Sequence, residues 1–107
     1  MNQITQLIQK LGIHSAYCGY HYLEYALTLC LQDENYMLYV WKWLYRDVAL
    51  YYDKSRASVE RALRTVVAAC WNDGNRNYLH KISSCHLEQR PTVSEFIEIL
   101  YHQLKEQ

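Results

Sequence analysis

The 107-residue sequence predicts an all-α fold, a compact bundle of about six helices containing a helix-turn-helix. Three observations lead there. The chain holds only three glycines and one proline, whereas a sandwich or barrel needs a turn about every 10 residues. Its apolar residues recur at helical spacing over long stretches. Residues able to cap a helix stand where several of those stretches begin. The length suits a single domain over 1–107 and excludes a multidomain enzyme.

Taken in order, residues 3–11 set Ile4, Leu7, Ile8 and Leu11 on one helical face, with Gly12 as a stop. After Gly19 a second helix over 20–32 places Leu23, Ala26, Leu27, Cys30 and Leu31 together, widened by Tyr22, Tyr25 and Leu29, so it is buried on most sides. Asp33, Glu34 and Asn35 form a polar connection able to cap the next helix. From Met37, the positions Val40, Trp41, Leu44, Val48 and Tyr52 keep helical period without Gly or Pro, which predicts one helix to about Tyr52. Asp53, Lys54 and Ser55 interrupt it, and the Ser55 hydroxyl is placed to cap a new helix running to about Trp71. Val59, Ala62, Leu63, Val66 and Cys70 form its inner stripe, and Gly74 is the expected left-handed terminator. A shorter helix is expected over 76–83. Pro91 then halts any incoming helix, and Thr92 with Glu95 has capping-box spacing ahead of a last helix presenting Phe96, Leu100 and Leu104, with Ile97, Ile99 and Tyr101 extending the face.

Net charge is zero, which taken whole argues against an electrostatic binder of nucleic acid or membrane. Resolved along the chain, residues 1–41 carry −2, residues 42–81 carry +4 and residues 82–107 carry −2. There is no apolar run of about 18 residues, hence no expected membrane span, and no signal-peptide pattern, hence an expected cytoplasmic location. Cys18, Cys30, Cys70 and Cys85 are widely spaced and suit reduced thiols, Cys30 and Cys70 falling on apolar stripes.

The basic centre coincides with the helix pair meeting at Asp53, Lys54 and Ser55. At about 100° per residue, Ala57, Ser58, Arg61, Arg64, Thr65 and Ala68 fall opposite Val59. A short helix, a tight turn and a longer helix with small and basic residues outward is what a major-groove reader requires. Arginine can donate two hydrogen bonds to guanine O6 and N7, and Glu60 can accept from cytosine N4. The alternative is a solvated face on which Glu60 and Arg64 form an i,i+4 ion pair and the alanines are good helix formers.

Val59, Glu60, Arg61, Ala62, Leu63 and Arg64, followed by Trp71, Gly74 and Asn75, resemble the recognition helix and its exit in the C-terminal effector domain of the stage-zero sporulation protein A family. Collinear with them are Gly12 and Ile13; Gly19 and Tyr20 with Tyr22 and Leu23; Leu44 and Tyr45 with Asp47 and Ala49; and Pro91 and Thr92 with Ser94, Glu95, Phe96 and Ile97. The resemblance covers residues 4–104 and raises the DNA reading well above the solvated-face alternative. It implies a positioning helix at about 46–52, a recognition helix at about 56–71, and control of transcription through a short promoter element of double-stranded DNA. Domains of that family often sit head to tail on DNA, hence an expected homodimer. Glu60, Arg61 and Arg64 match residues that face bases or neighbouring phosphates, and residues 75–84 match a segment that touches the principal sigma factor of RNA polymerase. Arg56, Ser58 and Thr65 are then candidates for base or phosphate contact. Lys54, Ser55, Arg76 and Lys81 are candidates for phosphate contact, which sets register without reading sequence. Two departures stand out: Ser58 occupies a position where the family has an arginine, and Arg46 one where it has a proline. The family's receiver domain would have to precede residue 1, so an excised domain and a stand-alone relative are both open.

The competing class is a protein-interaction module of the same fold that has lost DNA and binds itself or a sporulation regulator. Its face would be Tyr17, Tyr20, Tyr22, Tyr25, Tyr36 and Tyr39 with Trp41 and Trp43; the plainer account packs most of these as amphipathic core residues. His14, Cys18 and His21, with Cys85 and His86 as distant partners, have poor zinc-ligand spacing, so no metal or other cofactor is expected. No nucleophile elbow or Gly-rich phosphate loop occurs, and neither an enzyme nor a small-molecule substrate is expected.

Overall fold

The computed structural model of the chain describes residues 2–84 and 86–106. It is all-α among those residues, with six α-helices: α1 (Gln3–Lys10), α2 (Cys18–Gln32), α3 (Tyr45–Tyr52), α4 (Arg56–Asn72), α5 (Arg76–Ile82) and α6 (Val93–Lys105). Asn2 caps α1 by accepting from the Thr5 N–H at 2.8 Å, and Gly12 stops the chain in the left-handed region at φ 75°. Helix α2 is the centre of the bundle. It packs on α1, α3, α4 and α6, and its Leu23, Ala26, Leu27 and Cys30 are almost wholly buried.

The start of α2 differs from expectation. It begins at Cys18, so Gly19 lies inside the helix rather than before it. A Cβ on Gly19 would stand 2.4 Å from the Ala62 carbonyl oxygen and 2.4 Å from Val66 Cγ2. The glycine is therefore the point where α2 and α4 approach backbone to backbone, and the close contact offsets its helix-weakening tendency.

The single helix expected from Met37 to Tyr52 is also broken. Asp33 accepts from the Asn35 N–H at 3.0 Å and opens a 3₁₀ turn over Glu34–Met37. Tyr39 then leaves helical geometry (φ −133°, ψ 61°), and a wide π turn over Val40–Leu44 runs directly into α3. The Trp43 and Leu44 N–H groups both donate to the Tyr39 carbonyl, at 2.8 and 3.3 Å. Periodicity misses this because an apolar spacing of three to five residues is shared by 3₁₀, α and π turns. Asp47 fastens the turn to α3, accepting from Tyr36 Oη at 2.5 Å and Arg46 Nε at 2.8 Å.

Asp53 ends α3 in the left-handed region (φ 56°, ψ 52°), a conformation that Asp tolerates better than most residues. Ser55 caps α4 as expected, accepting from the Ser58 N–H at 3.1 Å. Beyond α4, Gly74 is not left-handed. Its added Cβ would meet the Leu11 carbonyl oxygen at 2.6 Å and Cys70 Cα at 2.9 Å, so close approach, not φ, requires the glycine. The Asn75 N–H donates to the same Leu11 carbonyl at 2.9 Å and Asn75 Nδ2 to Lys10 O at 3.1 Å, which docks the end of α1 onto the α4–α5 junction. The capping box at α6 is present in both directions, Thr92 N–H to Glu95 Oε1 at 2.9 Å and Glu95 N–H to Thr92 Oγ1 at 3.1 Å.

The core joins Leu7 and Ile8 of α1, Val48 of α3, Val59, Leu63, Val66, Val67 and Cys70 of α4, Leu79 of α5 and Phe96, Ile97, Leu100 and Leu104 of α6 around α2. Cys30 and Cys70 sit in it as free thiols.

Candidate nucleic-acid interface

Helices α3 and α4 are joined by three residues, and α4 is held from beneath by its Val59, Leu63 and Val66 on α2 and α3. That leaves one long face of α4 to solvent. Ala57, Arg61, Arg64 and Thr65 are exposed along it, with Ser58 and Ala68 half-buried at its margins. Lys54 and Ser55 are exposed at its N-terminal end, and Arg56 is half-buried beside them. These charged, polar and small positions, together with Glu60, form one continuous surface of about 20 Å along the helix axis at about 1.5 Å per residue.

The charged groups on this surface differ in what engages them. Arg64 Nη2 donates to Glu60 Oε1 in an i,i+4 ion pair, the pairing expected of a solvated face. Thr65 Oγ1 donates back to the Arg61 carbonyl at 3.1 Å, as helix-borne threonines commonly do. The Arg61 guanidinium has no hydrogen-bond or ion-pair partner among the described residues and projects from the middle of the face. Ser58 Oγ accepts from Ser55 Oγ at 3.0 Å, so both hydroxyls belong to the helix cap.

Arg76 and Lys81 are not brought into this surface. Both lie beyond the opposite end of α4, on α5. Arg76 is folded onto α4: its Nε donates to the Trp71 carbonyl at 2.7 Å and its guanidinium lies 4.2 Å from the centre of the Trp71 ring.

The chain matches the family described as Sporulation initiation factor Spo0A C terminal over residues 4–104. It belongs to that family.

The Spo0A C-terminal family consists of DNA-binding domains that regulate transcription in sporulation, and it is not a family of enzymes. In this member the side of α4 bearing Glu60 and Arg64 faces a cleft of about 440 Å³, which Trp41, Tyr45, Arg90 and Ser94 also line. Tyr45 is buried at its floor, and that burial, with Glu60 nearby, pushes its hydroxyl pKa up to about 12, so it stays a neutral donor. Arg90 carried no signal as a site residue in the sequence, and Trp41 entered only as part of an aromatic interaction face. They lie far from α4 along the chain, and only the packing of α6 and the π turn beside α4 assembles the cleft.

The tyrosine-rich segment divides. Tyr20 and Tyr22 are buried, and Tyr17, Tyr25 and Tyr36 are half-buried against the core. Tyr22 and Tyr25 join Tyr51 and Tyr52 in one ring cluster, with Tyr25 and Tyr51 stacked at 4.2 Å. Leu38, Tyr39 and Trp41 are 72%, 47% and 52% exposed on the irregular stretch before α3. Among the described residues no three His, Cys, Asp or Glu side chains are grouped to hold a metal ion. His14 is exposed, His21 lies 3.5 Å from Glu24, and Cys85 falls outside the described residues. No helix among them is long and apolar enough to cross a membrane.

Proposed function

We propose that α3, the turn through Asp53 and α4 act as a helix-turn-helix that binds a promoter element of double-stranded DNA sequence-specifically and regulates sporulation genes in the cytoplasm, as a single effector domain. In it, residues 46–52 are the positioning helix and 56–71 the recognition helix. The observation that carries this is the outer face of α4, where an unengaged Arg61 stands among small residues that let the helix sit deep in a major groove. Arg61 donates to a guanine. Arg64 and Glu60 exchange their mutual ion pair for base contacts, and because that pair is exposed its loss is small against a bidentate base contact of about 1–3 kcal/mol. Lys54 and Ser55 contact phosphates at the N-terminal end, while Arg56, Ser58 and Thr65 reach bases or phosphates at the margins. Arg76 keeps two guanidinium nitrogens free for an outer phosphate, and Lys81, further along α5, reaches another. From the family resemblance, residues 75–84 are the contact for the sigma factor, and two copies pair on DNA.

The test is a salt series of binding to a duplex bearing the family's promoter element and to a scrambled duplex. Arg61→Ala is expected to lower affinity for the specific duplex by about 10-fold to 100-fold and to leave the scrambled one nearly unchanged. Absence of specific binding at low salt by the folded wild-type chain overturns the proposal.

The exposed Leu38, Tyr39 and Trp41 favour a second reading, a protein-interaction module that associates with itself or a sporulation regulator through its aromatic face. It predicts a mass that rises with concentration. Sedimentation of a monomer across the micromolar range counts against self-association.

A further inference from the structure

We propose, resting on α4 as the reading helix, that the DNA-binding surface continues across the cleft beside α4 onto the residue preceding Pro91, where Arg90 holds a backbone phosphate flanking the groove. Four observations carry it. The cleft opens along one margin of the reading face, since Glu60 and Arg64 line it while Ser58 and Thr65 lie on the other margin by helical periodicity. Across it stands Arg90, exposed and with no hydrogen-bond or ion-pair partner among the described residues. Glu60 is already paired with Arg64, so Arg90 is the cleft's unneutralised charge. Finally, the Glu95 carboxylate accepts from the Thr92 N–H in the α6 capping box and makes no ion pair with Arg90.

Geometry then decides what Arg90 touches. A helix lying in the major groove has a sugar-phosphate strand along each side. A cation set across a cleft from the reading face meets that strand rather than the base edges, and guanidinium matches phosphate in a two-point contact. Trp41, half-exposed in the same cleft, supplies an apolar surface beside the strand. Such a contact adds affinity and register but no sequence preference.

The experiment measures Arg90→Ala and Arg90→Lys beside Arg61→Ala on the specific and scrambled duplexes from low to moderate salt, with circular dichroism confirming the fold of each variant. Arg90→Ala is expected to weaken both duplexes by a similar factor, about tenfold, and to reduce the slope of log K against log salt by about 0.9. Arg90→Lys is expected to keep the slope. Unchanged affinity and slope in Arg90→Ala, while Arg61→Ala still loses specific binding, overturns the phosphate contact and leaves the groove reading standing. A loss confined to the specific duplex makes Arg90 a base reader and also overturns the proposal. A wild-type chain that binds neither duplex overturns both.

Discussion

Gly19 shows how much one missing side chain decides. Its absent Cβ lets α2 meet α4 at the Ala62 carbonyl and the Val66 methyl. Because α4 is the candidate reading helix, that contact also sets its height above the core. Gly19→Ala puts a carbon where the neighbours are backbone and a buried branched side chain, neither of which yields cheaply. We expect a loss of about 1–3 kcal/mol, read as a fall of several degrees in Tm. An unchanged Tm would show that the two helices separate freely. Arg61 and Arg64, both outward on α4, are also set apart at this scale: one is unengaged and the other ion-paired to Glu60. That difference makes Arg61 the sharper single-residue probe of specificity.

Among the elements, the irregular stretch before α3 depends on a charged hub. Asp47, in the first turn of α3, gathers Arg46 and the Tyr36 hydroxyl. The hydrogen bond from Arg46, helped by that from Tyr36, holds the Asp47 carboxyl below its ordinary range. A folded pKa below the unfolded one contributes stability that is present above the ordinary carboxylate range and is lost as pH falls through it. The Tyr36 hydroxyl, held by its bond to Asp47 and partly desolvated, is pushed up to about 12. Its contribution is present below the ordinary tyrosine value of about 10 and is lost as pH rises toward 12. Urea midpoints across pH should therefore fall at both extremes in the wild type. Asp47→Asn should flatten the acid side and Tyr36→Phe the alkaline side. Equal pH profiles for wild type and variants would exclude the hub. Arg46, which stands where the family resemblance places a proline, donates to this hub, and the π turn runs into α3 without the break a proline would impose.

Across the whole molecule, the core is built around α2, and every helix contributes to it. A Cα radius of gyration of 12.6 Å is close to the value of about 13 Å expected for this length. Burial pushes the Cys30 thiol to about 12 and the Cys70 thiol to about 11, whereas Cys18 is exposed. Thiolate is the reactive form. Alkylation at neutral pH should therefore label Cys18 in the native protein and reach Cys30 and Cys70 only as denaturant opens the bundle. Rapid native labelling of either buried cysteine would mean that the α2–α4 core opens readily. The charge distribution reads at this scale too. The basic middle of the chain folds into the stretch from the π turn through α5, so a molecule of zero net charge holds most of its cations there.

Local chemistry makes much of this legible in the sequence. Ser55, Asp33, and Thr92 with Glu95 announce where helical structure begins, because a cap is a bond between a side chain and backbone two or three residues away. The outward face of α4 follows from its period, and so does the Glu60–Arg64 pair. What depends on segments distant in the chain was not legible. Gly19 and Gly74 are required by carbonyls and side chains of other helices, whose approach no local pattern encodes. The break at Tyr39 hides inside an apolar spacing that several helix types share. Arg90 becomes a neighbour of Arg64 only when α6 packs beside α4. Sequence alone thus determined which helices form and which face of α4 looks outward, since hydrogen bonding and burial along one helix are short-range. The tertiary structure decided how closely the helices approach and which charges share a cleft, since those are set by the packing of the whole core.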